Sequence, residues 1–426
     1  MRVALVVALL PACRTPSVGF PDDLLGDCGG AFRDPGRYPN QLAPGTGLAR
    51  LTMKDPEAVC NDGTPAVLYV RGGSDDWVMH LQGGGTCTDF ASCAERWCGT
   101  GYHDASKMSS RWAPDEIEAI GLTSTDDRNA FADATQVFFY YCSSDAWTGT
   151  SFADLVSDDG RELVIHRRGH AILEAALEQL RSPVGSDDGR QTLPDLDDAR
   201  SLLFTGTSGG SAGAQENLDW VRSRMPDDVP VYGVFDAAFS PRPETLPDGP
   251  RQRIERETRA MIEGLNDASS FLPFADESCV EALGGTDDAW KCHDPASFVY
   301  DHVTTPFLAR QDYRDPLILG NYTRAHVTEA EFAKAVRESL LSLAELPSRA
   351  AEGAAMSVAP SAYGPDCGQH VALESHAWFF DAAIEADGVP VSLHDAIVRA
   401  VDDGPVSIVD DVEGSRSVCV DLEQEH

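Results

Sequence analysis

An α/β fold with a mostly parallel central sheet and helices on both faces follows from three features of this sequence. Short apolar runs of strand type alternate with helical patterns along the chain. One such run, Ser201-Leu202-Leu203-Phe204, leads through a Gly/Ser-rich turn into Ala212–Trp220, which reads as a helix. The chain has 426 residues with 42% apolar content, enough for one large domain with insertions.

The N-terminus, MRVALVVALLPAC, carries Arg2, an apolar run Val3–Leu10, and then Leu10-Pro11-Ala12-Cys13. It reads as a secretory signal too short to span a membrane. Its ending has the form of a lipobox, so cleavage is expected just before Cys13, which as the lipidated first residue of the mature protein would tether it to a membrane; the alternative is an ordinary signal peptide and a secreted protein. Residues 14–50, rich in Pro, Gly and Asp, read as an irregular arm, and 51–426 as a single domain with an insertion near 241–300.

Within that domain, Ala66–Val70 and Trp77–Leu81 read as strands joined by the Arg71–Asp76 turn. The second runs into Gln82-Gly83-Gly84-Gly85-Thr86-Cys87, where three glycines let backbone N–H groups approach a ligand. Gln136–Tyr141 is a further strand, followed by the polar loop Cys142–Gly149. The pattern over Leu163–Leu180 predicts an amphipathic helix, and Val229–Phe235 a strand closed by Asp236. Pro241–Tyr300 reads as a cap over the active site, with a charged helix near Gln252–Asn266 and a Cys279…Cys292 loop. Thr304–Gln311 is a late strand and Glu329–Leu346 a helix; the loop around Cys367–Phe380 leads to a final pair of helices.

The turn after Phe204 carries two overlapping G-x-S-x-G pentads, Gly206–Gly210 with Ser208 and Gly209–Gly213 with Ser211. Strand, sharp glycine turn with serine, and helix together describe the nucleophile elbow of the α/β-hydrolase fold. Ser208 follows the strand by four residues, as an elbow serine does, whereas Ser211 falls in the first helical turn. In that fold the glycine loop after Leu81 supplies half of an oxyanion hole. A nucleophilic serine needs a base and an orienting carboxylate, in chain order Ser, acid, His. After the late strand stand His326, His370, His376, His394 and His426; His370 and His376 lie in the loop that returns over the serine. Asp312 and Asp315 are the candidate acids.

Net charge is −36, which argues against nucleic acid or an anionic membrane surface as partner. No Cys/His spacing suggests zinc, and no motif implies a cofactor. Without Cys13, ten of the eleven cysteines remain, which fits up to five disulfides in an exported protein.

The chain resembles the pectin acetylesterase family, which also takes in animal carboxylesterases. The matching pieces are CNDGTPAVLYV from Cys60, LQGGGTC from Leu81, YCSSDAWTGTS from Tyr141, GTSGGSAGAQENLD from Gly206, VYGVFDAAF from Val231, TTPFLARQDYRD from Thr304, and Cys367…His370. The resemblance implies a carboxylic ester hydrolase with Ser208 as nucleophile, Asp315 as acid, His370 as base, and backbone N–H groups of Gly84, Gly85 and Gly209 as oxyanion donors. It implies disulfides Cys60–Cys142 and Cys87–Cys93; Cys279–Cys292 is a pairing expected from the loop itself. Asn217 and Asp219 match as helix residues behind the elbow, and Asp236 as a structural acid. Two departures bear on the substrate. Gly85-Thr86 stand where the family carries an aromatic, and Gly209-Gly210-Ser211 where it tends to have Ala-Gly-Gly. The expected substrate is an O-acetyl or other short-chain ester on a carbohydrate, or a small ester; a fatty-acyl esterase or protein deacylase is the alternative, and a non-catalytic binding protein of the same fold a third.

Overall fold

The computed structural model describes residues 28, 33, 44–100, 103–158, 160, 162–268, 273–346 and 359–420. The expected signal and lipidation site at residues 1–13 lie outside these. One ten-stranded sheet organises the chain. Its strands are β1 (Pro44–Thr52), β2 (Val67–Arg71), β3 (Ser74–Leu81), β4 (Glu116–Ile117), β5 (Ala134–Phe139), β6 (Ser201–Thr207), β7 (Val231–Asp236), β8 (Phe307–Arg310), β9 (Ser361–Gly364) and β10 (Ser407–Val409). Their spatial order is β10-β9-β8-β7-β6-β3-β5-β2-β1-β4. From β10 to β5 every neighbouring pair is parallel; the β5-β2, β2-β1 and β1-β4 pairs are antiparallel.

The helices are α1 (Phe90–Cys98), α2 (Gly169–Leu180), α3 (Gly209–Arg224), α4 (Asp248–Ala268), α5 (Glu277–Leu283), α6 (Pro295–Asp301), α7 (Pro316–Arg324), α8 (Glu329–Ala344), α9 (His376–Phe380) and α10 (Leu393–Asp402). They cover both sheet faces, and strand alternation decides which face each side chain serves. Trp77, Met79, Leu202, Phe204 and Phe235 point into one core with Leu218 of α3, Leu173 of α2 and Leu340 of α8. Val78, Leu203, Val234 and Leu308 point into the other with Phe379 of α9 and Ile397 of α10. Burial on both sides explains why the central strands read as unbroken apolar runs, each Leu, Val or Phe contributing about 1.5–3 kcal/mol.

The described residues of segment 241–301 form a 3-10 turn at Pro243–Thr245, α4, α5, a second turn at Ala289–His293, and α6. It joins the core where the Phe274 ring stacks on His170 at 4.0 Å and the Phe274 N–H donates to the Thr148 carbonyl at 2.6 Å. The disulfides are Cys28–Cys98, Cys60–Cys142, Cys87–Cys93, Cys279–Cys292 and Cys367–Cys419. The pairings of Cys28 with Cys98 and of Cys367 with Cys419 were not expected from the sequence.

Four expectations need correction. Leu163–Leu180 is not one helix: Glu162–Arg167 is a strand paired antiparallel with Ser151–Val156, and the helix starts only at Gly169. The break has a tertiary cause. Asp145 accepts the Gly169 N–H at 2.8 Å, a cap supplied from outside the helix, and a Cβ at Gly169 would meet that carboxylate at 2.3 Å. The arm assigned to 14–50 ends earlier, because Pro44–Thr52 pairs with β2 and β4 as the sheet's antiparallel flank. The Arg71–Asp76 turn shrinks to Gly72-Gly73, since strand structure resumes at Ser74. The loop expected to run through Phe380 contains the helix His376–Phe380, and in place of a following pair of helices the described residues form the hairpin Ala383–Ala386 and Val389–Ser392 and one helix, Leu393–Asp402.

Candidate active site

Parallel strands leave their C-terminal ends on one edge, and loops from that edge meet there. At the end of β6, Ser208 has φ 51° and ψ −121°, a conformation that L-residues rarely adopt. Its neighbours must be glycine for reasons of space. A Cβ at Gly206 would lie 2.2 Å from the Gly210 carbonyl, and one at Gly210 would lie 2.0 Å from that of Leu81. The turn is anchored where the Ser208 N–H donates to the Asp236 carbonyl at 3.0 Å.

Ser208 Oγ lies 2.8 Å from His370 Nε2, and His370 Nδ1 lies 2.8 Å from Asp315 Oδ2. Asp315 is buried and caps α7, accepting the Leu317 and Ile318 N–H groups on Oδ1 and Gln311 Nε2 on Oδ2. Burial alone pushes its carboxyl up, but His370, Gln311 and the backbone donors outweigh it and hold the pKa below the ordinary value. This is a hydrogen-bonded Ser–His–Asp chain able to move a proton off a serine hydroxyl. Ser211, the other pentad serine, is buried and donates to the Ala237 carbonyl at 2.6 Å. It holds Ala237 and Ala238, both at positive φ, just past β7. His376 lies at the start of α9, paired with Asp126 at 2.9 Å, away from Ser208's hydrogen bonds.

The other candidate acid, Asp312, belongs to a layer beneath His370. Arg310, buried at the end of β8, pairs with Asp236 at 2.8 Å and with Asp312. It also donates to the carbonyls of His370 at 3.0 Å and Gln369 at 3.2 Å. Asp312 accepts the Gln369 N–H at 2.7 Å; Asp236 accepts those of Ala372 and Leu373, each at 2.7 Å. The loop that carries the imidazole is thus held at four residues, Gln369, His370, Ala372 and Leu373, by one buried ion triad. The Cys367–Cys419 bridge ties it down just before His370.

Across the serine, Gly84 and Gly85 present their N–H groups. The Cβ position at Gly209 lies 3.1 Å from Gly85 N and 3.6 Å from Gly84 N, so glycine at 209 keeps that space open. The Gly209 N–H is the first of α3 and has no acceptor within the helix. Each carbonyl of the loop is held from behind. Trp147 Nε1 donates to Gln82 at 3.0 Å, Lys107 Nζ to Gly83 at 3.2 Å, Arg96 to Gly84, and Tyr141 Oη to Gly85 at 2.7 Å. His103 faces the loop, its Nε2 3.4 Å from the Cβ position of Gly85. Burial, with Arg96, Lys107 and His370 nearby, pushes its pKa down to about 3, leaving it neutral.

Ser208, Asp315, His370, Gly84, Gly85 and Gly209 are therefore brought together. Sequence reasoning did not single out Arg310, Arg96, Lys107, Tyr141 or His103. Arg310 alone carried a local signal, an arginine in an otherwise apolar strand beside Asp312.

The family model for pectinacetylesterase matches residues 47–403. Palmitoleoyl-protein carboxylesterase NOTUM of Drosophila melanogaster is 32% identical over 200 residues, 45% of this chain and 28% of that protein. Pectin acetylesterase 5 of Arabidopsis thaliana is 26% identical over 267 residues, 61% of this chain and 55% of that protein. The chain thus spans only about a quarter to a half of the length of these relatives. A crystal structure of the Drosophila Wnt deacylase Notum superposes with a TM-score of 0.61 at 21% identity, covering 84% of this chain and 95% of that one. That likeness shows the α/β-hydrolase fold. With the family model covering nearly all of the described chain, the protein belongs to the pectinacetylesterase family.

Proposed function

We propose that this protein is a serine carboxylesterase that hydrolyses short-chain acyl esters, above all O-acetyl groups on a polysaccharide. The observation that carries this reading is the hydrogen-bonded chain Ser208–His370–Asp315, with 2.8 Å at both links. Ser208 Oγ attacks the ester carbonyl while His370 Nε2 takes its proton. The tetrahedral oxyanion is stabilised by the N–H groups of Gly84, Gly85 and Gly209. The imidazolium, steadied by Asp315, then gives its proton to the leaving alcohol. Water attacks the acyl-enzyme by the same route in reverse, with His370 again as base. The disulfides suit an oxidising compartment, so export is part of the proposal, as is a tether through Cys13.

Short chains are favoured by His103. Gly85-Thr86 replace the aromatic of the family, and the neutral His103 imidazole lies beside Gly85, which supports a short acyl site. The names of the NOTUM relatives favour the alternative, removal of a long acyl group from protein. The ratio of kcat/KM for acetate and octanoate esters of one alcohol separates the two. Acetate is expected to be preferred, and His103→Ala to move the ratio toward octanoate. Room for two more methylenes, at about 0.8 kcal/mol each, corresponds to a shift of about tenfold. A wild-type preference for octanoate would make the deacylase the better reading.

A further inference from the structure

We propose that Arg96 and Lys107 are positioning residues of the oxyanion hole, each fixing one peptide plane of the Gly83-Gly84-Gly85 loop. The inference rests on the esterase reading above and names residues that no part of that reading assigns.

In a planar trans peptide the carbonyl of one residue and the N–H of the next point in opposite directions. Holding the Gly83 carbonyl therefore aims the Gly84 N–H, and holding the Gly84 carbonyl aims the Gly85 N–H. Lys107 Nζ binds the first carbonyl at 3.2 Å, and Arg96 grips the second with both terminal nitrogens, Nη1 at 2.9 Å. The N–H groups so aimed are the two that lie beside the Gly209 position. Such restraint is needed because the loop is three glycines in a row, with φ 157° at Gly84 and 58° at Gly85, and glycine has more conformations to lose than any other residue.

Two buried cations are costly to place, with Arg96 4% and Lys107 8% exposed, and neither is offset by a carboxylate within ion-pair distance among the described residues. Their partners are backbone carbonyls. Each is held on its own scaffold. Arg96 sits on α1, whose Cys93 and Cys98 are both disulfide-bonded; Lys107 closes the 3-10 turn Ala105–Lys107, capped by Asp104. Both positive charges also lie on the side of the loop opposite the developing oxyanion, where a low dielectric leaves them little screened.

The test uses Arg96→Met and Lys107→Met with two ligands. One is a trifluoromethyl ketone, which adds Ser208 and mimics the tetrahedral anion. The other is an uncleavable ether analogue of the substrate, which lacks any oxyanion. Expected are a loss of kcat on the order of 10–100-fold with KM nearly unchanged, somewhat less than removal of a donor itself. The inhibition constant of the ketone should rise by the same factor, and the ether should bind as to wild type. Arg96→Lys and Lys107→Arg, which keep a charged donor, should restore part of the loss and stand in where a methionine variant does not fold. The proposal is overturned if ketone and ether weaken equally, if kcat falls with the ketone unaffected, or if activity stays at the wild-type level. Failure of the esterase reading is separate and shows in the wild type, as absence of ester hydrolysis and of ketone binding.

Discussion

Replacing Ser208 by alanine is expected to lower kcat for ester hydrolysis by roughly 10⁴–10⁶-fold, the loss that follows removal of a nucleophile whose partners act as a unit. Ser211→Ala, one helical turn away, is expected to keep most of the activity. Its hydroxyl donates to the Ala237 carbonyl at 2.6 Å and accepts from Gln215 Nε2 at 3.3 Å, so the loss is two buried hydrogen bonds, about 1 kcal/mol of stability each. The pair of variants is checked by kcat with a p-nitrophenyl ester and by thermal melts. The reverse result, an inactive Ser211→Ala and an active Ser208→Ala, would place the nucleophile in the second pentad.

Arg310→Met is expected to damage both stability and rate. The side chain is buried between Asp236 and Asp312 and binds the carbonyls of Gln369 and His370. Its removal leaves two carboxylates without their cation in the interior, a defect worth on the order of 3–5 kcal/mol. Burial already pushes Asp312 up to about 7, so without Arg310 that group is expected to take up a proton at neutral pH. The His370 loop then loses two of its anchors, and a displacement of about 1 Å at the imidazole costs about 10²-fold in kcat. Melting temperature and kcat report the two effects. Stability equal to wild type in Arg310→Met would show that the triad does not hold the loop.

How much of this was legible in the chain depends on whether the signal was local. The elbow was readable because its pattern is local: a Cβ at Gly206 would lie 2.2 Å from the Gly210 carbonyl of the same turn, so strand, glycine turn and helix appear together, although the space at Gly210 is set by the distant Leu81 carbonyl. The strand positions around β3, β6 and β7 were readable because burial on both faces forces apolar runs. Asp312 and Asp315 were indistinguishable by local pattern, since both follow β8. Only the fold directs one carboxylate to His370 and the other to Arg310. Leu163–Leu180 misled because the signals that break it are distant: the partner strand Ser151–Val156 and the cap from Asp145. The clamp on the glycine loop was invisible for the same reason. Arg96 and Lys107 are ordinary charges in sequence and become buried donors only when α1 and the Ala105–Lys107 turn pack under the loop.

The most direct test of the central claim is covalent. The protein is treated with a fluorophosphonate, digested and mapped by mass spectrometry. One phosphonyl group per chain, on the peptide carrying Ser208 and absent from Ser208→Ala, is the expected result. A protein that hydrolyses esters yet carries the adduct at another residue, or none at all, would contradict the Ser208–His370–Asp315 mechanism.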